Sequence, residues 1–370
     1  MKMAHPIRAD HVGSLLRAKE LLDARASHLP APELQAMEDR HILQVLKRQQ
    51  EIGLDVFTDG ELRRTNFMSD FTDAVDGFDF GDAVPRKWKD LDQTGQHAAP
   101  VSSINGIVTS ALKQREPLTG HEIPFLGKHA PGPIKITLPS ATQFPAISYK
   151  YGITDAIYQD PYALLDAITA IMAEDIRVLA ASGISYVQID APRYSYYLDP
   201  KWTAWMESGL RVDPAQMLTA SLAADNACFA AARHPGVTVA IHLCRGNNRS
   251  HWYAEGGYDA IAERLFHELA VDRFLLEYDD ERSGTFEPLR LVPAGKMVVL
   301  GLVSSKRPEM ERKEDLIRRI QEAARFLPLE QLAISPQCGF ASTMEGNLLT
   351  EDEQWAKLQL VADVAREVWG

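Results

Sequence analysis

The stretch VTVAIHLC at residues 237–244 is apolar and β-branched up to its last three positions, where an imidazole and a thiol appear two residues apart. Such a short apolar run is the composition of a strand buried on both faces. Working outward, similar runs recur at 185–190 (SYVQID), 134–138 (IKITL), 54–58 (LDVFT) and 8–13 (RADHVG) toward the N-terminus. Toward the C-terminus they recur at 273–278 (RFLLEY), 297–302 (MVVLGL) and 332–335 (LAIS). The run at 8–13 is the least apolar of these. Amphipathic stretches of helical period lie between them, at 32–52, 161–182, 214–233, 258–270, 313–326 and 351–369. Asp160-Pro161 and Asp213-Pro214 are the clearest helix starts: the Asp side chain caps free backbone N–H groups, and Pro takes a position that needs no donor.

Eight strands alternating with helices predict an α/β fold, the (β/α)8 TIM barrel. No Gly-rich phosphate loop follows any strand, which argues against a dinucleotide-binding open sheet. Two connections exceed what a plain barrel needs. The first, 61–133, holds the charged PRKWKDLD and VSSINGIV at 101–108, a predicted strand of an added hairpin. The second, 191–213, carries Tyr194, Tyr196, Tyr197, Trp202 and Trp205. Both follow strands, so in a barrel both lie over the C-terminal mouth, where active sites form. The 370 residues therefore read as one catalytic domain with an insertion at about 62–133.

Composition narrows the function. The chain is 45% hydrophobic and 24% charged with a net charge of −12, so it is globular and has no basic footprint for nucleic acid or an anionic membrane. No apolar run is long enough to span a bilayer. The opening MKMAHPIRADHVGS lacks a signal-peptide segment, which predicts a cytoplasmic protein. Its partners are then small molecules, and no segment is assigned to subunit assembly. Three cysteines, Cys228, Cys244 and Cys338, are too few for a disulfide framework; buried, metal-bound or catalytic roles suit them better. Cys228 lies in the Ala-rich SLAADNACFAAA and reads as a buried helix residue.

The chemistry gathers at strand ends. His242 and Cys244 share one face of a strand. Cys338 follows the eighth strand in SPQCGF, and Glu277 lies near the end of the sixth in LLEYDD. On one barrel rim they offer an imidazole, two thiolates and a carboxylate, a four-ligand set for Zn²⁺. A lone His-x-Cys would say little, because isolated Cys and His are more often structural. Glu61 and Asp190, at separate strand ends, can pair with a substrate ammonium, although each also reads as local turn or strand-end chemistry. His11 can face the mouth or serve structurally. Lys306, Arg307, Arg245 and Arg249 can meet an anionic substrate or form ion pairs, and the aromatic cluster can stack a flat substrate or pack as a lid.

Together HLC, LLEYDD and SPQCGF, with HVGS, DGE and QID–P, resemble the ordered motifs of cobalamin-independent methionine synthase, over nearly the whole chain. The resemblance implies that His242, Cys244, Glu277 and Cys338 bind zinc. It implies that Ser14, Glu61 and Asp190 hold the amino-acid end of homocysteine, and that the protein is a zinc-dependent thiol methyltransferase of methionine biosynthesis. Full-length members carry two barrels, and this chain matches the catalytic C-terminal one. Three positions depart from the family. Ala191 replaces a carboxylate, Pro139 falls where a folate-stacking Trp is expected, and Lys306-Arg307-Pro308 aligns with His-Ser-Pro, whose His is a proposed proton donor. The thiol half of the site is retained and the methyl-donor half is altered. A related zinc-dependent alkyltransferase, similar to the epoxyalkane–coenzyme M transferases, is the second implied reading. A zinc that merely staples a binding barrel is the third; four protein ligands would close such a site, whereas catalysis needs a place for substrate.

Overall fold

Six of the eight expected strands form one parallel sheet. The computed structural model describes residues 7–84 and 106–370. An antiparallel pair comes first, β1 (Val75–Asp79) with β2 (Ile107–Gln114). The parallel sheet follows in sequence order: β3 (Lys135–Pro139), β4 (Tyr186–Asp190), β5 (Thr238–Leu243), β6 (Arg273–Glu277), β7 (Met297–Val303) and β8 (Leu332–Pro336). Long helices separate these strands, as parallel connections require. Asp160 and Asp213 cap two of them as expected, accepting from Ala163 N and Gln216 N at 2.8 Å.

The first two strand candidates do not form strands. Ala9 makes a single parallel bridge to Ile334 on β8, and Phe57 makes one to Ile134 beside β3. Between them Asp55 substitutes for a ladder, its Oδ2 accepting from Arg8 N at 2.7 Å and Ala9 N at 3.0 Å. Short polar segments with Asp and His inside them lack the β-branched content that sustains a ladder. Two further boundaries shift. The helix expected over 258–270 divides into a 3₁₀ turn, Tyr258–Ala260, and a short helix, Ala262–Glu268. The added hairpin exists, but its second strand starts at Ile107; PRKWKDLD and residues 101–105 lie outside the described residues.

Two cores flank the sheet. The larger packs the helices against strand residues such as Ile136, Val187, Ile189 and Ile241. The smaller joins Ile7, Val12 and Val56 to Tyr186, Ala240, Leu275, Val299 and Ala333. Residues from the first two segments and five sheet strands thus meet on the sheet's other face, as the inside of a TIM-barrel-like fold would have them. Period-two alternation then puts Asp190, His242 and Glu277 at the tips of the inward-facing columns that begin at Tyr186, Ala240 and Arg273. No helix of the described residues is long and apolar enough to cross a membrane.

Candidate metal centre and thiol site

Three buried side chains converge past the strand ends. His242 from β5, Cys244 just beyond it and Cys338 after β8 each offer a ligand atom, and these atoms lie within 4.8 Å of one another. The His242 ring is buried with only the Cys338 sulfur as a hydrogen-bond partner, and neither cysteine is in a disulfide. An unsatisfied buried polar group costs on the order of 1–3 kcal/mol, so the remaining ring nitrogen calls for a ligand. One imidazole and two thiols at this spacing fit Zn²⁺. The hydrogen bond from Cys244 holds the Cys338 thiol well below its ordinary range, and the same bond, with burial, pushes Cys244 up. Burial opposes charge on His242, but the Cys338 sulfur, Asp190 and Glu277 together raise it.

Glu277 stands beside this trio. Its Oε2 accepts from Arg245 N at 2.9 Å and Gln337 Nε2 at 3.1 Å, and its Oε1 accepts from Arg282 Nε at 2.8 Å. Burial penalises the carboxylate, yet Arg282, Lys306 and Arg245 outweigh that and hold its pKa down at about 2. Its charge is already paired with Arg282, and it stands outside the three-ligand group.

Ser14 and Glu61 come to the same place through close backbone approach. A Cβ on Gly339 would fall 2.0 Å from Ser14 Oγ, and one on Gly13 would fall 2.8 Å from Glu61 Oε1. The first segment is therefore wedged between the loop that carries Cys338 and the Asp59-Gly60-Glu61 turn. Glu61 itself has φ +56°, a backbone state costing roughly 1–3 kcal/mol for a non-glycine residue. Asp59 Oδ1 accepts from Glu61 N at 2.8 Å and Thr137 Oγ1 donates to Glu61 Oε1 at 2.8 Å, while Glu61 Oε2 is buried with no partner. Asp190 pairs in register with His242 and accepts from Gln188 Nε2 at 2.7 Å. Burial pushes Asp190 up to about 7; His242 pulls it back and Glu61 adds to the rise. Glu61 Oε1 lies 3.8 Å from the Arg64 guanidinium, which leaves Glu61 Oε2 as the unsatisfied acceptor beside Asp190. His11 is buried too, its Nε2 3.3 Å from Val56 O, and burial lowers it to about 4, so the ring is neutral.

A model of the cobalamin-independent synthase catalytic domain matches residues 16–367. The chain belongs to this family. Within the cobalamin-independent synthase family, the chain is 40% identical to the uncharacterized protein YxjH of Bacillus subtilis, over 98% of this chain and 95% of that one. It is 23% identical to a methionine synthase of Pyrococcus abyssi, over 82% of this chain and 76% of the other. A solved structure of a putative vitamin-B12 independent methionine synthase from Listeria monocytogenes superposes with a TM-score of 0.73, at 26% identity and full coverage of both chains.

Sequence reasoning missed the residues that hold this family site in shape. Arg64 reaches Glu122 Oε1 at 2.8 Å, Thr137 Oγ1 at 3.1 Å and Asp70 Oδ2 at 2.6 Å, and lies 3.8 Å from Glu61. No motif marks it; an arginine after a turn reads as surface. Asp70, His121 and Glu122 form a second trio within 4.8 Å, but the Arg64 guanidinium between the two carboxylates already supplies their positive charge. Three of the four basic residues offered as anion contacts have other roles, and Arg249 is exposed. Lys306 is buried and donates to Gly246 O at 2.8 Å and Asn247 Oδ1 at 3.2 Å. Asn247 Nδ2 in turn donates to Gly339 O at 2.8 Å, so the loops bearing Cys244 and Cys338 are tied together. Arg245 donates to Gly256 O beneath the Tyr258 ring, and Arg307 reaches Asp280 at 3.5 Å.

Proposed function

We propose that this protein is a zinc-dependent thiol methyltransferase that transfers a methyl group to homocysteine. We read its fold as the complete (β/α)8 barrel, with the segments at 8–13 and 54–58 closing the ring. The observation that carries the function is the His242–Cys244–Cys338 trio set near Asp190 and Glu61, whose Oε2 has no hydrogen-bond partner. Zinc held by that trio, with Glu277 as a fourth ligand, would supply the positive charge that keeps a substrate thiol deprotonated at neutral pH. Glu61 and Asp190 receive the substrate ammonium, Ser14 hydrogen-bonds its amino-acid end, and His11 lines the inner wall. The thiol sulfur then attacks the methyl carbon, and the donor leaves with the bonding electron pair. The methionine synthase names of the Pyrococcus abyssi and Listeria monocytogenes relatives support this reading, as does the family. It gives the protein a cytoplasmic place in methionine biosynthesis.

A second reading is favoured by the donor side. Pro139 ends β3 opposite Asp190, where the family resemblance calls for a Trp, and the Lys306 ammonium is committed to Gly246 and Asn247. Proline offers no aromatic face, and lysine is a far weaker acid than imidazolium. A zinc-dependent alkyltransferase joining another thiol to an epoxide, like the epoxyalkane–coenzyme M transferases, uses the same thiol half with a different electrophile. Zinc-loaded protein assayed with homocysteine decides between them. One reaction contains methyltetrahydrofolate and the other a small activated methyl donor or epoxide, with the S-alkyl product weighed by mass spectrometry. Methionine formed rapidly from the folate supports methionine synthase. Turnover with the small electrophile alone supports the second reading, and no product in either reaction overturns both.

A further inference from the structure

Glu277 is the last residue of β6 and fully buried. A carboxylate has roughly four lone-pair positions, and three of those on Glu277 are taken. Oε2 accepts from the backbone N–H of Arg245, next after Cys244, and from Gln337 Nε2, next before Cys338. One oxygen therefore ties the two cysteine loops together. Oε1 accepts from Arg282 Nε. Arg282 is itself fixed on several sides, with its side chain 5% exposed. Its Nη2 donates to Asp279 Oδ1 at 2.7 Å, its Nη1 lies 2.9 Å from Asp280 Oδ2, and its guanidinium stands 5.2 Å from the centre of the Trp252 ring. Gly256 donates its N–H to the Arg282 carbonyl at 2.8 Å. Trp252 and Gly256 belong to the loop that follows β5 and carries Cys244, so the metal-ligand loop braces the arginine.

Bond lengths of about 2.0–2.3 Å set tetrahedral zinc ligands roughly 3.3–3.8 Å apart. His242, Cys244 and Cys338 already lie within 4.8 Å of one another, and Glu277 is not in that group. To join it, the carboxylate must move toward the trio. Oε1 is the oxygen with a lone pair to spare, and Oε2 is held by both loops, so the move stretches the bond from Arg282. The guanidinium and a metal then compete for one oxygen. Parting a buried ion pair is costly, and neither thiolate nor the imidazole gives up such a pair to bind. We infer that Arg282 is a positioning residue that makes Glu277 the exchangeable ligand of the centre, the one whose place an incoming thiol takes. This rests on the zinc reading with Glu277 as fourth ligand. In the exchange a sulfur–metal bond forms and the Oε1–metal bond breaks. The thiol proton passes to buffer, and Oε1 again accepts from Arg282 Nε.

The test uses cobalt-substituted full-length protein, titrated with homocysteine and separately with 2-mercaptoethanol, so that it does not depend on which thiol is native. The ligand-field and sulfur-to-cobalt absorption bands read both the ligand set and the thiol Kd. Arg282→Met is expected to keep its cobalt, to shift the bands of the thiol-free protein, and to raise both Kd values about tenfold, the lower end of what outer partners of a metal site are worth. Arg282→Lys, a charge without the planar fork, falls between. Glu277→Gln keeps the side chain's size and removes its charge. It lowers both Kd values in otherwise native protein and relieves the loss in the Arg282→Met background. A mere loosening of the loops would not be relieved by a second substitution. Unchanged Kd values in Arg282→Met, or a loss that Glu277→Gln does not relieve, would overturn the inference. Should Arg282→Met not fold, Glu277→Gln alone decides: tighter thiol binding upholds the exchange, and unchanged or weaker binding overturns it. A wild type that takes up neither zinc nor cobalt sinks the zinc reading itself, and this inference with it.

Discussion

Cys338 and Cys228 are both buried cysteines, and their surroundings set them apart. Cys338 lies within 4.8 Å of two other ligand groups, while Cys228 faces the packed core of helix Pro214–Ala232, where burial pushes its thiol far above the ordinary range. Replacing Cys338 by Ser should cut bound zinc from about one per chain to a small fraction, and Cys228→Ser should leave it unchanged. Plasma emission metal analysis of both variants checks this. Asp190→Asn should raise KM roughly tenfold for a thiol carrying an ammonium group and much less for one without it; equal changes would count against the pairing. Asp225 offers a test in pH. It accepts from Ser140 Oγ at 2.7 Å and Tyr194 Oη at 2.9 Å, and burial raises it to about 6. An unfolded aspartate titrates near 3.9, so between about pH 4 and 6 the folded state holds the extra proton and stability falls as pH rises. The stability of Asp225→Asn relative to wild type should therefore grow across that window, by roughly 3 kcal/mol in total, and level off above it. Urea unfolding at a series of pH values reads this, and a difference constant with pH would contradict it.

At the scale of elements, what could be read from the chain followed apolar content. The runs at 134–138 and 297–302 lie in strands because nearly every residue prefers a two-sided pleat, and helix Glu351–Trp369 matches the expected span because Thr350 and Glu353 cap it reciprocally. His242, Cys244 and Cys338 were recognisable since strand ends advertise their spacing. Arg64, Thr137 and Asn247 were not, because a residue that positions another leaves no periodicity and its partner lies far away in sequence. Lys306 misled for a related reason: charge alone reads as surface, and only the loop geometry brings its ammonium to Gly246 O. The short helix Pro200–Ser208 shows the opposite case. Asp199-Pro200 carries the same start signal as the longer helices, with Asp199 accepting from Lys201 N at 3.1 Å, but its aromatic residues obscured it.

Over the whole molecule, the seam between the first two segments has no strand ladder, and Asp55 bonds across it instead. Asp55→Ala removes acceptors for two backbone N–H groups and should cost about 1–3 kcal/mol of stability, seen as a lower urea midpoint. An unchanged midpoint would mean that the Asp55 N–H bond to Ala9 O and the bridges to Ile334 and Ile134 hold these segments without the carboxylate. The first segment also brings Ser14 against Gly339, in the loop that carries Cys338, and the late place of that loop in the chain has a consequence in time. A ribosome adds roughly 5–20 residues per second, so Cys244 is made roughly 5–20 s before Cys338, which lies 94 residues later. Throughout that interval the nascent chain presents His242 and Cys244 with their third partner still unmade, open to oxidants and to whichever metal arrives first. On the zinc reading, a complete three-ligand site therefore exists only after synthesis has passed Cys338.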